Sequence, residues 1–183
     1  MESKTPQRKK IYTRSGDLGE TALLLGPRVS KDQPRIEVCG QVDELSSVLG
    51  VARAEGLVSA HREIVQRIQN ELIEFCAEVV CLTPVRLGKV IGHDQVRRME
   101  QEIDEIESFS PPFTHFITPG ADRGSAYLHL ARTVCRRAER NLVSLIRNEP
   151  EISLLLLSYL NRLSDLLFVM ARREELMKAK PGT

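Results

Sequence analysis

The sequence predicts an all-α fold, a five-helix antiparallel bundle preceded by a flexible N-terminal loop. Three observations predict it. Five segments repeat apolar residues at alternating three- and four-residue spacing, the breaks between them carry proline and glycine, and strand-like alternation is nearly absent. Short connections favour antiparallel neighbours. The 183 residues suit one domain, 1–183, with a substantial core.

The first helix is expected over about 37–55, where Val42, Leu45, Leu49 and Ala52 form the stripe. The second covers about 59–82 through Ile64, Ile68, Leu72, Phe75 and Val79. The third, about 93–109, uses Val96, Met99, Ile103 and Ile106. The fourth, about 122–148, uses Leu128, Ala131, Cys135, Ala138, Leu142 and Leu145. The fifth, about 152–178, uses Leu156, Leu160, Leu163, Leu167 and Met170. "TPVRLGKVIG" (83–92) and "SPPFTHFITPG" (110–120) separate helices two, three and four, and Pro150 marks the last turn. Only "ALLL" (22–25) reads as a short extended piece.

Charged residues at 28% and hydrophobic ones at 42% exclude a disordered or membrane-embedded chain by composition. A net charge of +1 gives no case for nucleic acid, and aromatics at 4% supply no base-stacking platform. One basic tract stands out, Lys4, Arg8, Lys9, Lys10 and Arg14. It reads as a mobile terminus, with residues 1–10 a disordered basic tail, or as a phosphate-attracting arm. Cys39, Cys76, Cys81 and Cys135 form no CxxC pair, which points to reduced thiols in a cytosolic protein. The start has no apolar signal region, and the run "LLLL" (154–157) is far too short for a bilayer. A cytoplasmic protein with no membrane partner is the expectation.

A bundle does not explain every polar residue. In "HLARTVCRRAERNL", Arg132, Arg136 and Glu139 recur one position after the buried seam, a rotation of about 100°. They therefore flank the core rather than oppose it, and Arg137 and Arg140 widen the basic surface. Such a row is either a solvated face knitted by helix ion pairs or a grip for polyphosphate; four arginines and no lysine suit bidentate anion contacts. Asp43 in "GQVDELSS" stands in the same relation to the first seam, as a site acid or as surface decoration. In "YLNRLSDLLF", Asn161, Ser164 and Asp165 interrupt an apolar stretch and require partners in the bundle or in a ligand.

The front of the chain, "YTRSGDLGET" (12–21), sets Gly16 and Gly19 among Thr13, Arg14, Ser15, Asp17 and Thr21, a polar loop suited to an anion. Neither GxxxxGK[ST] nor a GxGxxG ahead of a helix is present, and HExxH and paired ExxH sets are missing. His61, His93, His115 and His129 are widely separated, as surface or core histidines are.

Five segments, "YTRSGDLGET", "RIEVCGQVDELSSVLG", "FITPG", "HLARTVCRRAER" and "YLNRLSDLLF", stand in the order found in ATP:corrinoid adenosyltransferases. The chain resembles their trimeric five-helix class, named for propanediol utilisation and including the mitochondrial human enzyme, over about residues 10–172. The resemblance implies transfer of the 5′-deoxyadenosyl group of ATP to cobalt of cob(I)alamin, with release of triphosphate. It implies a homotrimer with sites between subunits, an electron donor that reduces Co(II), and an acceptor enzyme that uses adenosylcobalamin. The alternative is a non-catalytic corrinoid- or nucleotide-binding chaperone or sensor on the same bundle.

By the same resemblance the front loop folds over ATP, with Thr13, Ser15 and Thr21 on phosphate oxygens and Mg²⁺, and Arg14, Gly16, Asp17 and Gly19 completing it. Arg136, Arg137, Glu139, Arg140 and Asn161 match ATP-binding positions, and Mg²⁺ is expected mainly through the phosphates. Arg132 matches an arginine that pairs across the subunit boundary with the aspartate matched by Asp43, and Phe116 matches the aromatic that blocks the cobalt's lower axial face. One departure is Ala121, followed by Asp122, where the family usually has a second glycine.

Overall fold

The computed structural model describes residues 10–83, 87–88, 90–112 and 116–178. A small hairpin comes first, β1 (Glu20–Ala22) paired antiparallel with β2 (Arg28–Ser30), Thr21 opposite Val29. Five helices follow: α1 (Pro34–Ala54), α2 (Ser59–Val80), α3 (His93–Ser108), α4 (Arg123–Asn148) and α5 (Leu154–Lys178). The extended piece expected at 22–25 is thus displaced. The chain turns over Leu23–Gly26, where the Gly26 N–H donates to the Leu23 carbonyl at 3.2 Å, so the strands lie on either side, and Leu24 instead bridges to Cys81 at the end of α2. Most of the basic tract, including Lys4, Arg8 and Lys9, lies outside the described residues, as does His115.

Helix α1 begins three residues before the expected boundary because Pro34, with φ preset and no N–H to lose, occupies the first turn after the extended Gln33. Helix α4 begins at Arg123 because the Asp122 carboxylate accepts from the Gly124 and Ser125 N–H groups, at 2.9 and 3.3 Å. Ala121, where a second glycine is usual, keeps a negative φ; the left-handed conformation falls on Gly120 at φ 119°.

Packing runs α2–α1–α4–α5–α3. The Gln69–Ser46 and Cys76–Cys39 contacts show α1 and α2 antiparallel, and Arg35–Glu149 with Arg137–Glu44 show the same for α1 and α4. Cys135 donating to the Leu160 carbonyl at 3.3 Å ties α4 to α5. Five alternating helices put α3 and α5 in the same direction, and these two are neighbours, so one contact of the otherwise antiparallel bundle is parallel. The ring closes through polar side chains. Tyr159 on α5 donates to Glu71 on α2 at 2.8 Å, and Arg67 on α2 holds both Glu71 (2.8 Å) and Glu102 on α3 (2.6 Å).

The predicted stripes of α1, α4 and α5 are wholly buried, that of α2 is buried except for the partly covered Ile64, and that of α3 is half buried, with Val96 and Ile103 only partly covered. Helix α5 has the apolar core on most sides. By length and composition it is apolar enough to cross a membrane, with mean hydropathy 1.5 over an 18-residue window, which the four leucines alone did not reveal. Of that window 56% is buried inside the bundle, as in the core helix of a soluble protein.

Candidate functional site: an arginine-walled cleft

Helix α3 packs on α5 and leaves a gap toward α4, and this gap is a cleft of about 740 Å³. Arg132 and Arg136 line it from α4. Phe168 and Val169 of α5 and Ile103 of α3 give it an apolar floor beside Arg162, Ser164 and Asp165, while Glu100, Asp104 and Glu107 of α3 form an acidic far side. The cleft therefore offers cations and a flat apolar surface side by side, which suits a ligand that is part anion and part large ring.

The arginine wall is ordered from behind. Glu139 is buried, and its carboxylate accepts from Arg136 at 2.7 Å and from the Asn161 amide at 3.0 Å. One acid thus fixes the guanidinium at the cleft and the polar residue that interrupts α5. Ser164 donates to the Asn161 carbonyl at 2.9 Å, and Asp165 pairs with Arg162 at 2.9 Å, so all three interrupting residues have bundle partners. Arg132 has no ion pair among the described residues, and its buried Nε lacks a hydrogen-bond partner. A guanidinium held half out of water with donors to spare is ready for an anion.

Arg137 and Arg140 are exposed. Arg137 reaches Glu44 on α1, and Arg140 donates to the Arg136 carbonyl at 3.2 Å. Neither lines the cleft; each braces the helix face beside it. Asp43 lies elsewhere, in a groove of about 310 Å³ between α1 and α2 with Cys39, Val42, Ser46, Leu72, Ile73 and Cys76. Within one chain it lines a different pocket from Arg132 and has no ion pair among the described residues. Phe116 is fully exposed, an apolar ring with nothing covering it in the single chain.

The front loop is mounted on the hairpin. Arg28 donates to the Ser15 carbonyl at 2.5 Å and to the Glu20 carbonyl at 3.1 Å, and the Lys31 N–H donates to the Gly19 carbonyl at 2.8 Å. The Thr13 and Ser15 hydroxyls lie 2.7 Å apart. Arg14 sits at φ 61° and Gly19 at φ 83°. The glycine adopts this freely, whereas the arginine is held in a region that side chains disfavour. No hydrogen bond or ion pair joins residues 11–21 to α4 among the described residues, so one chain does not bring the loop onto the arginine wall.

Sequence reasoning missed Phe168 and Val169, whose apolar character merged with the α5 core, and the acidic residues of α3, which read as surface. His129, read as a surface or core histidine, is of the core kind, buried on α4 and edge-on to Phe168 at 6.1 Å. Burial, and then the charge of Arg132, push its imidazole below the usual value, so it is neutral at pH 7. Among the described residues no group of three or more His, Cys, Asp or Glu side chains could hold a metal ion.

The profile of the cobalamin adenosyltransferase family matches residues 11–174. A corrinoid adenosyltransferase of Citrobacter freundii is 42% identical over 175 residues, covering 91% of this chain and 95% of that protein. The corrinoid adenosyltransferase PduO of the same organism is 40% identical over 90% of this chain, but the chain spans only 50% of its length. The human corrinoid adenosyltransferase MMAB is 37% identical, covering 93% of this chain and 70% of that protein. In three dimensions the chain is similar to a variant PduO-type ATP:corrinoid adenosyltransferase from Lactobacillus reuteri complexed with cobalamin and ATP, with TM-score 0.87, 31% identity and 94% of each chain covered. A second variant of that enzyme, complexed with ATP, superposes with TM-score 0.83 at 31% identity, covering 93% of this chain and 97% of its own. On these matches the chain belongs to the cobalamin adenosyltransferase family.

Proposed function

We propose that this chain transfers the 5′-deoxyadenosyl group of ATP to the cobalt of cob(I)alamin, and that it does so as a homotrimer in the cytoplasm. The observation that carries the reading is the cleft, where Arg132 and an Arg136 fixed by buried Glu139 stand beside an apolar floor. Arginines match a polyphosphate, and the floor matches a corrin or adenine ring.

The reaction needs no side-chain nucleophile. The cobalt electron pair of cob(I)alamin attacks C5′, the C5′–O bond breaks, and its electrons leave on triphosphate. Arg136 and Arg132 neutralise that departing charge, already in place before it develops. Asn161, sharing Glu139 with Arg136, orients the nucleotide, and Arg137 and Arg140 keep the surrounding potential positive. Mg²⁺ would be held mainly by the phosphates of ATP, whose oxygens are the hard ligands it prefers. An external reductase supplies the electron for Co(II), and an adenosylcobalamin-dependent enzyme takes the product.

Two features support a site completed by a second subunit. The loop of residues 11–21 does not reach α4 of its own chain, and Asp43 opens on a groove away from Arg132. In a trimer the neighbour's loop closes over the arginine wall, and the neighbour's acid meets Arg132. Phe116, uncovered in the single chain, then lies against the corrin and keeps a lower ligand from the cobalt.

The test is direct. Purified protein is incubated with ATP, Mg²⁺ and chemically reduced cobalamin, and adenosylcobalamin is followed optically alongside triphosphate. Both products at catalytic turnover are expected. Tight ATP and cobalamin binding without either product would replace the enzyme by a binding chaperone or sensor.

A further inference from the structure

The segment that carries Phe116 is tied to α5 at both ends. At its start, Arg172 is 8% exposed and donates from Nη2 to the Pro111 carbonyl. Arg173 donates to the Phe109 carbonyl at 2.7 Å, with its guanidinium 5.7 Å from the Phe109 ring centre. At its end, Lys178 binds the Asp122 carboxylate at 2.9 Å, and Asp122 caps α4. The three cations occupy the last turns of the helix whose Phe168 and Val169 floor the cleft.

The sequence explains the need for them. Past Ser108 the Phe109 and Ser110 N–H groups still cap the Ile106 and Glu107 carbonyls, but Pro111 and Pro112 bring no N–H to extend the helix. Beyond the helix, the Phe109 and Pro111 carbonyls take their donors from α5. At the other end, burial alone would raise the Asp122 carboxyl. Hydrogen bonds from Lys178 and Ser125, with the Lys178 charge, hold it below its ordinary value, so the cap is an anion and the Lys178 tie is ionic.

We infer that Arg172 and Lys178 are positioning residues for Phe116, fixing where its segment leaves α3 and where it enters α4 relative to the cleft floor. Neither touches substrate. This rests on the reading of Phe116 given above. If that ring must displace the lower ligand of cobalt, its reach depends on both anchors, and loss of either lets the five-coordinate Co(II) species return.

The experiment compares Arg172→Met, Arg172→Lys, Lys178→Met and Phe116→Ala in the full chain with ATP and cob(II)alamin. Four-coordinate Co(II) is measured by electron paramagnetic resonance, with ATP affinity and melting temperature alongside. Arg172→Met and Lys178→Met should each lower the ratio of four- to five-coordinate Co(II) by about tenfold, the equivalent of one charge-assisted hydrogen bond. ATP affinity should stay within about twofold, and Arg172→Lys should recover part of the signal. A purely structural role would lower the melting temperature and leave the ratio unchanged. If Phe116→Ala abolishes the signal while the anchor variants keep it, the positioning inference is overturned and the reading of Phe116 stands. If Phe116→Ala itself keeps the signal, that reading falls and the inference with it. Should Arg172→Met fail to fold, Lys178→Met decides, its side chain being one-third exposed and its other partner, Glu174, keeping His61 and the Val58 N–H.

Discussion

Replacing Arg136 by alanine separates binding from folding. Its guanidinium is 46% exposed and its partner Glu139 is 12% exposed, so the pair itself contributes only about 0.2–1 kcal/mol to stability. Glu139 also keeps the Asn161 amide as a donor and is not orphaned. For a chain of this size such a loss lowers the melting temperature by at most about 2–4 °C. The contact with a triphosphate oxygen is different, because both partners are charged and the water is displaced. Losing it costs about 1.5–3 kcal/mol, roughly 10- to 150-fold in ATP affinity. Calorimetric titration of ATP with Mg²⁺, thermal melting and the apparent KM for ATP measure the two effects. An ATP affinity within about twofold of the parent would remove Arg136 from the site, as would a loss accompanied by collapse of the fold.

Asp43→Ala and Arg132→Ala should each reduce kcat/KM, and the double variant should fall short of their product by a coupling of about 0.5–3 kcal/mol; full additivity would exclude a direct pair. Arg35 is 2% exposed and bonds Glu149 at 2.5 Å and the Val79 carbonyl at 2.6 Å, joining the starts and ends of three elements. Arg35→Met leaves the buried Val79 carbonyl without this donor while Glu149 stays partly in water, and should destabilise by about 1–3 kcal/mol, a fall of roughly 2–12 °C in melting temperature; no measurable fall would mean the contacts are dispensable. Glu174 gives a pH test. Burial alone would raise its carboxyl, but His61, Lys178 and the Val58 N–H outweigh it and leave it below the ordinary value of 4.5. A depressed carboxyl stabilises fully above that value and loses its contribution as pH falls through the folded one. Denaturation curves on acidification below 4.5 should therefore bring the parent and Glu174→Gln together, and a gap that stays constant with pH would refute the sign.

The bundle was legible because a buried helical face leaves a period in the sequence. Leu128, Ala131, Cys135, Ala138, Leu142 and Leu145 read as a seam and are buried as one. The arginines beside it were legible for the same reason, since one position past a seam is one step toward its edge. The hairpin was not, because three-residue strands are too short for alternation to show. Phe168 was hidden by its helix: among so many apolar neighbours nothing marks the one facing a cleft rather than the core. His61 and Glu174, bonded at 2.7 Å, lie 113 positions apart, a pairing that no local pattern announces. Asp43 and Arg132 could be picked out as residue types, but their separation onto different faces is a property of the assembled chain.

Helix α5 is made after the other four helices and has the most to hold: α4 and α3 along their lengths, and α2 through Tyr159 and Glu174. A ribosome that has released only α1 to α4 presents a half-shell with its oily interior facing the cell. The bundle then closes only once α5 has emerged rather than piece by piece, and until that moment the nascent chain depends on holdase protection or on speed.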